Sequence, residues 1–190
     1  QQVVKTSPYY QEWVKTAEED LKLVKQAIKN RDFSLLGEVS EASAMKMHAL
    51  NMSAKPHFSY FMPESILAMQ KIEELRSQGI PCYYTMDAGP NVKVICEKQN
   101  VAFIIDELSK FFAKENLLVA NPGPGARLIW FLDGSRWIRG DFLIIDHWKD
   151  LKKLIKVKAP GKLYIAGEYA VVETGCPAIL VGLNKYVYVS

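Results

Sequence analysis

A chain of 190 residues, 49% hydrophobic and 24% charged, can hold one good core, or one domain with an appendage. A net charge of only +3, with no Lys and Arg run interleaved with aromatics, excludes a nucleic-acid stripe, and no apolar run is long enough to cross a bilayer. Small molecules or other proteins are the expected partners. The three cysteines, Cys82, Cys96 and Cys176, lack CxxC or CxxH spacing, which argues against a disulfide framework and a zinc site. Reduced thiols in a cytoplasmic protein are expected. Gln1-Gln2-Val3-Val4-Lys5 has no signal-peptide pattern, and a start on Gln rather than Met suggests a fragment.

In chain order, Thr6-Ser7-Pro8 reads as a helix start, with Ser7 as N-cap and Pro8 at the first helical position. Trp13, Ala17, Leu21, Val24 and Ile28 then recur at helical spacing over residues 9–29. After Asn30-Arg31-Asp32 a second helix begins near Phe33, with Leu36, Val39, Ala42, Met45 and Ala49 on one face. Residues 51–60 read as a loop. Pro63 opens a third helix carrying Ile66, Met69, Ile72 and Leu75, with Glu73 and Glu74 on its solvated face, and Gly79 ends it.

Residues 80–86 and 92–96, rich in β-branched and aromatic side chains, read as strands joined by residues 87–91. A helix is expected over 100–112, with Val101, Ile104, Leu108 and Phe111 inward. A strand at 116–120, a turn at 122–125 and a closing strand at 126–129 follow. Beyond Ile129 the period is lost. A helix at 146–154 has weak support. Residues 155–158 alternate like a strand, 159–162 turn, and 163–165 and 181–189 are strand-like. The mixture predicts an α+β fold, a two-layer arrangement of helices on one face of an antiparallel sheet, with a short β-rich C-terminal appendage. The expected organisation is a domain over 1–129, a junction over 130–153, and the start of a second domain over 154–190.

Asp87 stands out as a candidate reactive group. A strand delivers it to a turn, Met86-Asp87-Ala88-Gly89-Pro90-Asn91, in which Gly89 lets backbone approach a ligand and Pro90 stiffens the loop. The amides around Ala88 and Gly89 can hold an anion while the carboxylate accepts a hydroxyl proton. By spacing alone, an Asp that only caps the turn is the commoner arrangement. His48, His57 and His147 have no second ligand at metal spacing, and His48 reads as a packed residue; no metal-binding residue is assigned.

Several stretches resemble the C-terminal domain of the diphosphomevalonate decarboxylase family, within the galactokinase, homoserine kinase, mevalonate kinase and phosphomevalonate kinase (GHMP kinase) superfamily. They are residues 6–10 (TSPYY), 41–49 (EASAMKMHA), 79–94 (GIPCYYTMDAGPNVKV) and 122–125 (PGPG). The resemblance implies an enzyme that converts mevalonate 5-diphosphate to isopentenyl diphosphate with release of phosphate and carbon dioxide, using ATP and Mg²⁺, and a homodimeric parent. It implies that Asp87 positions or deprotonates the tertiary hydroxyl for attack on ATP, and then stabilises positive charge developing at the same carbon. Ala88 and Gly89 would line the substrate site.

The superfamily's phosphate loop, Pro-x-x-x-Gly-Leu-Gly/Ala-Ser-Ser-Ala, does not occur in residues 1–190, and Gly123-Pro124-Gly125 does not replace it. The family's Ser-Ser-Arg stretch would lie upstream of Gln1. ATP and Mg²⁺ are therefore expected to be held mainly by an absent N-terminal domain, and the chain alone is expected to be inactive.

Residues 158–172 (KAPGKLYIAGEYAVV) resemble the first motif of bacterial phosphomevalonate kinases. That resemblance implies that Lys162 contacts substrate phosphate and that Glu168 and Tyr169 line the substrate site. A plain hairpin with a solvated Lys162 is the alternative from periodicity. Leu154 stands where the kinase family begins with Met, as expected if two neighbouring genes are read as one. A decarboxylase–kinase fusion and a non-catalytic truncated domain are the other readings.

Overall fold

The apolar residues spaced three and four apart from Trp13 to Val24 form one buried face of a long helix, as their spacing requires. The computed structural model describes residues 2–123, 128–130, 137–139, 142–144, 157–166 and 178–189. The helical elements are α1 (Gln2–Thr6), α2 (Tyr10–Asn30), α3 (Phe33–Ser53), α4 (Pro63–Ser77) and α5 (Val101–Leu108). The strands are β1 (Cys82–Met86), β2 (Val92–Cys96), β3 (Leu128–Trp130), β4 (Trp137–Arg139), β5 (Phe142–Ile144), β6 (Val157–Ala166) and β7 (Ile179–Val189). Helices with small antiparallel sheets make this an α+β protein.

Ser7 does not cap α2. The chain is already helical in α1, α2 begins at Tyr10, and the Ser7 hydroxyl instead bonds that of Ser53, 2.7 Å away. The next boundary follows local chemistry closely. Arg31 takes a left-handed conformation with φ 56°, and the Asp32 carboxylate accepts from Leu35 N at 2.9 Å to cap α3. Gly79, at φ 90°, ends the turn after α4.

α3 is where the stripe reading fails. Ala42 and Ala49 are exposed, whereas Ser40, Ser43, Ala44, Met47, His48 and Asn51 are buried. The helix lies between two cores, so no single apolar stripe describes it. On one side Met47, Leu50 and Ala54 join Val3, Tyr10, Trp13 and Ala17. Met45 packs against the other cluster, where Met69, Ile72 and Leu75 of α4 meet Cys82, Tyr84 and Met86 of β1 and Ile104 and Leu108 of α5. Small and polar residues on α3 let backbones come close. A Cβ on Gly37 would lie 2.1 Å from the Tyr83 ring. Asp20, 6% exposed, is matched by Lys46 Nζ at 2.7 Å from both carboxylate oxygens.

β1 and β2 form an antiparallel hairpin with Cys82 opposite Cys96 and Met86 opposite Val92. Alternate β1 residues meet different helices: Cys82, Tyr84 and Met86 face the α4–α5 cluster, while the Tyr83 ring stands 5.6 Å from that of Phe33. Side chains serve the backbone of β1 as well. Glu41 Oε1 accepts from Tyr84 N at 2.9 Å, and Arg76 Nη1 donates to Glu41 Oε1 at 2.7 Å and to Cys82 O at 2.9 Å. A carboxylate on α3 and a guanidinium on α4 thus take backbone groups that a further strand would otherwise pair. Glu73, read as solvated, accepts from the Tyr84 hydroxyl at 3.0 Å.

Residues 117–120 are not a strand; a 3₁₀ turn over Lys114–Asn116 precedes them and Leu118 is 82% exposed. Phe111, expected inward, is half exposed with Lys71 Nζ 4.4 Å from its ring centre. β6 runs unbroken through Ala159-Pro160-Gly161-Lys162, where a turn is expected. Its sheet has two strands, β6 and β7, so each is an edge strand that can accept a proline. β3, β4 and β5 form a three-stranded antiparallel sheet. The helix expected at 146–154, residues 124–127 and Cys176 lie outside the described residues. Two compact units result: residues 1–118 with 164–180, and residues 119–163 with 181–190.

Candidate active site

The hairpin register decides what surrounds Asp87. Met86, 1% exposed, anchors the end of β1 in the second core, and the chain leaves the strand at the next residue. Asp87 is therefore held at the rim, its side chain 14% exposed. Thr85 pairs with Lys93 across the hairpin, and Lys93 Nζ reaches Asp87 Oδ2 at 3.1 Å. The other oxygen, Oδ1, accepts from Tyr164 N at 3.4 Å. Lys93 carries no separate signal in composition. The register of a hairpin with five connecting residues is what would have pointed to it.

The turn is fixed from behind. Ser65 in the first turn of α4, 3% exposed, donates its hydroxyl to Pro90 O at 2.6 Å and accepts from Met62 N at 3.3 Å. Ala88 is exposed and Gly89 half-buried. A Cβ on Gly89 would meet nothing within 4 Å, and Gly89 is not among the glycines with positive φ. Neither packing nor backbone conformation within the described residues demands glycine there. The absent side chain leaves the turn open on that side.

His48 of α3 packs beneath the site, 2% exposed, its ring 4.8 Å from Phe61 and 6.0 Å from Tyr60. Burial pushes its pKa below the ordinary value, with a smaller contribution from Lys93, while the Met86 carbonyl and Asp87 pull the other way. Neither ring nitrogen has a well-formed hydrogen bond among the described residues. The packed assignment of His48 holds, and His57 is exposed. Cys82 and Cys96 are free thiols, and burial pushes the Cys82 thiol up to about 11. Lys162 lies exposed on β6 in the second unit; Glu168, Tyr169 and His147 lie outside the described residues.

The family described as the Mevalonate 5-diphosphate decarboxylase C-terminal domain matches residues 1–122. A solved structure on the mevalonate diphosphate-mediated ATP binding mechanism of the Enterococcus faecalis decarboxylase is similar at 47% identity and TM-score 0.60, over 62% of this chain and 36% of that one. Another, described as MDDEF in complex with MVAPP, AMPPCP and magnesium, shares 47% identity at TM-score 0.61, over 62% of this chain and 36% of that one. The diphosphomevalonate decarboxylase of Debaryomyces hansenii is 29% identical over 93 residues, 48% of this chain and 24% of that protein. The chain thus spans between a quarter and somewhat over a third of the length of these relatives. A separate likeness, 59% over 32 residues, is to the phosphomevalonate kinase of a Streptomyces species, covering 17% of this chain and 9% of the kinase. With residues 1–122 matched, an α+β core shared with solved decarboxylases and Asp87 at its rim, the chain belongs to the mevalonate 5-diphosphate decarboxylase C-terminal domain family.

Proposed function

We propose that this chain supplies the reacting carboxylate of an ATP-dependent diphosphomevalonate decarboxylase, which converts mevalonate 5-diphosphate to isopentenyl diphosphate, phosphate and carbon dioxide. The observation that carries this reading is Asp87, half-buried at the end of β1 with Lys93 at 3.1 Å, in a chain whose first 122 residues match the decarboxylase domain. A carboxylate held this way can accept a hydrogen bond and then the proton of a substrate hydroxyl. Lys93 fixes its orientation. Backbone amides at Ala88 and Gly89 offer donors to an anionic substrate group, and the open side of Gly89 gives that group access.

The chain's own residues do not fit ATP or magnesium. Asp87 is one carboxylate already matched by a lysine, and no three His, Cys, Asp or Glu converge among the described residues. The phosphate-loop pattern is also absent from residues 1–190. Both groups are assigned to another part of the parent enzyme, which is taken to be a cytoplasmic homodimer. The test joins this chain to the remaining portion of a decarboxylase relative and follows ATP-dependent release of carbon dioxide. Asp87→Ala should lower kcat by roughly 10²–10⁴, the usual contribution of a general base. Unchanged kcat would overturn the assignment, and a joined enzyme with no activity at all would favour a non-catalytic domain.

The 32-residue kinase likeness supports a second reading for the tail. Residues 1–129 form the decarboxylase domain, 130–153 a junction, and 154–190 the opening of a kinase domain in which Lys162, Glu168 and Tyr169 meet a phosphorylated substrate. A genuine decarboxylase–kinase fusion predicts a full reading frame with two phosphate loops. One loop alone, or a TTG codon at Leu154, would point to two adjacent genes instead.

A further inference from the structure

Tyr164, Ile165 and Ala166 belong to the same compact unit as Asp87, although more than 70 residues separate them from it. Ile165 and Ala166 are 6% and 2% exposed. They line one cleft together with Ser43, Ala44 and Met47 of α3 and Thr85 and Met86 of β1. The space left in it is about that of a single water molecule. The face these elements present suits an extended segment: Ser43 and Ala44 are small enough to let a backbone lie close, and Met47 and Met86 supply adaptable apolar contact. The same segment turns Tyr164 N toward Asp87 Oδ1 at 3.4 Å while Lys93 holds Oδ2. Both oxygens of the carboxylate are then engaged by protein.

We propose that Tyr164-Ile165-Ala166 is an autoinhibitory strap: it docks on the α3–β1 face and masks the Asp87 carboxylate in cis. The proposal rests on the reading of Asp87 as the reacting group. A hydroxyl that is to be deprotonated must reach an oxygen of that carboxylate, and Oδ1 is taken by a backbone amide of the chain itself. The strap is held by two buried apolar side chains and a hydrogen bond at the long end of the usual range, so it is suited to displacement by a segment with better contacts on the same face. Asp87 would become available to substrate only when the strap leaves.

The full 190-residue chain serves for the test. Hydrogen exchange should show the amides of residues 164–166 slowed at least about tenfold against open-chain rates, at protection below that of α2. In Asp87→Asn and Ile165→Asp those amides should speed up while α2 stays protected. Coupling of glycine ethyl ester by carbodiimide, read on the peptide carrying Asp87, should be about tenfold faster in Ile165→Asp than in the unaltered chain. Open-chain exchange at residues 164–166 in the unaltered protein with α2 protected would overturn the proposal, and this holds even if a variant fails to fold. Equal labelling of Asp87 with and without Ile165, with α2 protected in both, would also overturn it. Exchange and labelling read the contact, whereas the decarboxylase assay reads the chemistry of the carboxylate, so failure of one reading is distinguishable from failure of the other.

Discussion

Lys93 and His48 show how little of a side chain's role is written in its own identity. Lys93 sits opposite Thr85 and reaches across the end of the hairpin to Asp87. In the joined decarboxylase, Lys93→Met should lower kcat by about tenfold, since a carboxylate left to rotate loses part of its placement. Steady-state kinetics against Asp87→Ala would check it; a kcat within twofold of the parent would remove Lys93 from the site. His48 has a folded-state pKa below its ordinary 6.5 because burial penalises the charged form. Its contribution to stability is therefore complete above pH 6.5 and is lost as pH falls from there toward the lowered folded value, where the unfolded chain binds the extra proton. Urea midpoints should fall between pH 7 and pH 5, and His48→Gln should flatten that slope. Cys82, with its thiol near 11 and no exposed surface, should resist iodoacetamide at pH 8 until the chain is unfolded.

At the level of elements, helices meet the β1–β2 hairpin through close approach and side-chain-to-backbone bonds. Gly37 has no room for a Cβ beside Tyr83, so Gly37→Ala should cost about 1–3 kcal/mol in urea unfolding as the ring is forced aside. Glu41 serves Tyr84 N and Arg76 together, and Arg76 in turn serves Cys82 O. Glu41→Ala leaves a buried amide and a half-buried guanidinium without their acceptor, an expected loss of about 2–3 kcal/mol. A loss below about 0.5 kcal/mol in either variant would mean that the packing between α3 and β1 is looser than described. Such contacts join residues 40 or more apart in sequence, as in Glu41 and Tyr84, and no local pattern announces them.

Across the whole molecule, the long helices, the β1–β2 hairpin and the site-bearing turn were legible in the sequence because their causes are local. The 3.6-residue period placed α2, Pro63 and Gly79 bounded α4, and strand-forming residues on either side of Asp-Ala-Gly-Pro-Asn marked the hairpin. The motif around Asp87 also carried the family. Tertiary structure decided the rest. α3 lies between two cores and so buries serines, His48 and Asn51 rather than one apolar stripe. Residues 117–120 stay outside any strand, since extended backbone becomes sheet only where a partner is alongside. Only the folded chain brought Lys93 and Tyr164 to the two oxygens of Asp87. Local spacing fixes which residues can be helix or strand; the partner across a core, a register or a buried charge is fixed by geometry between distant segments, which composition does not encode.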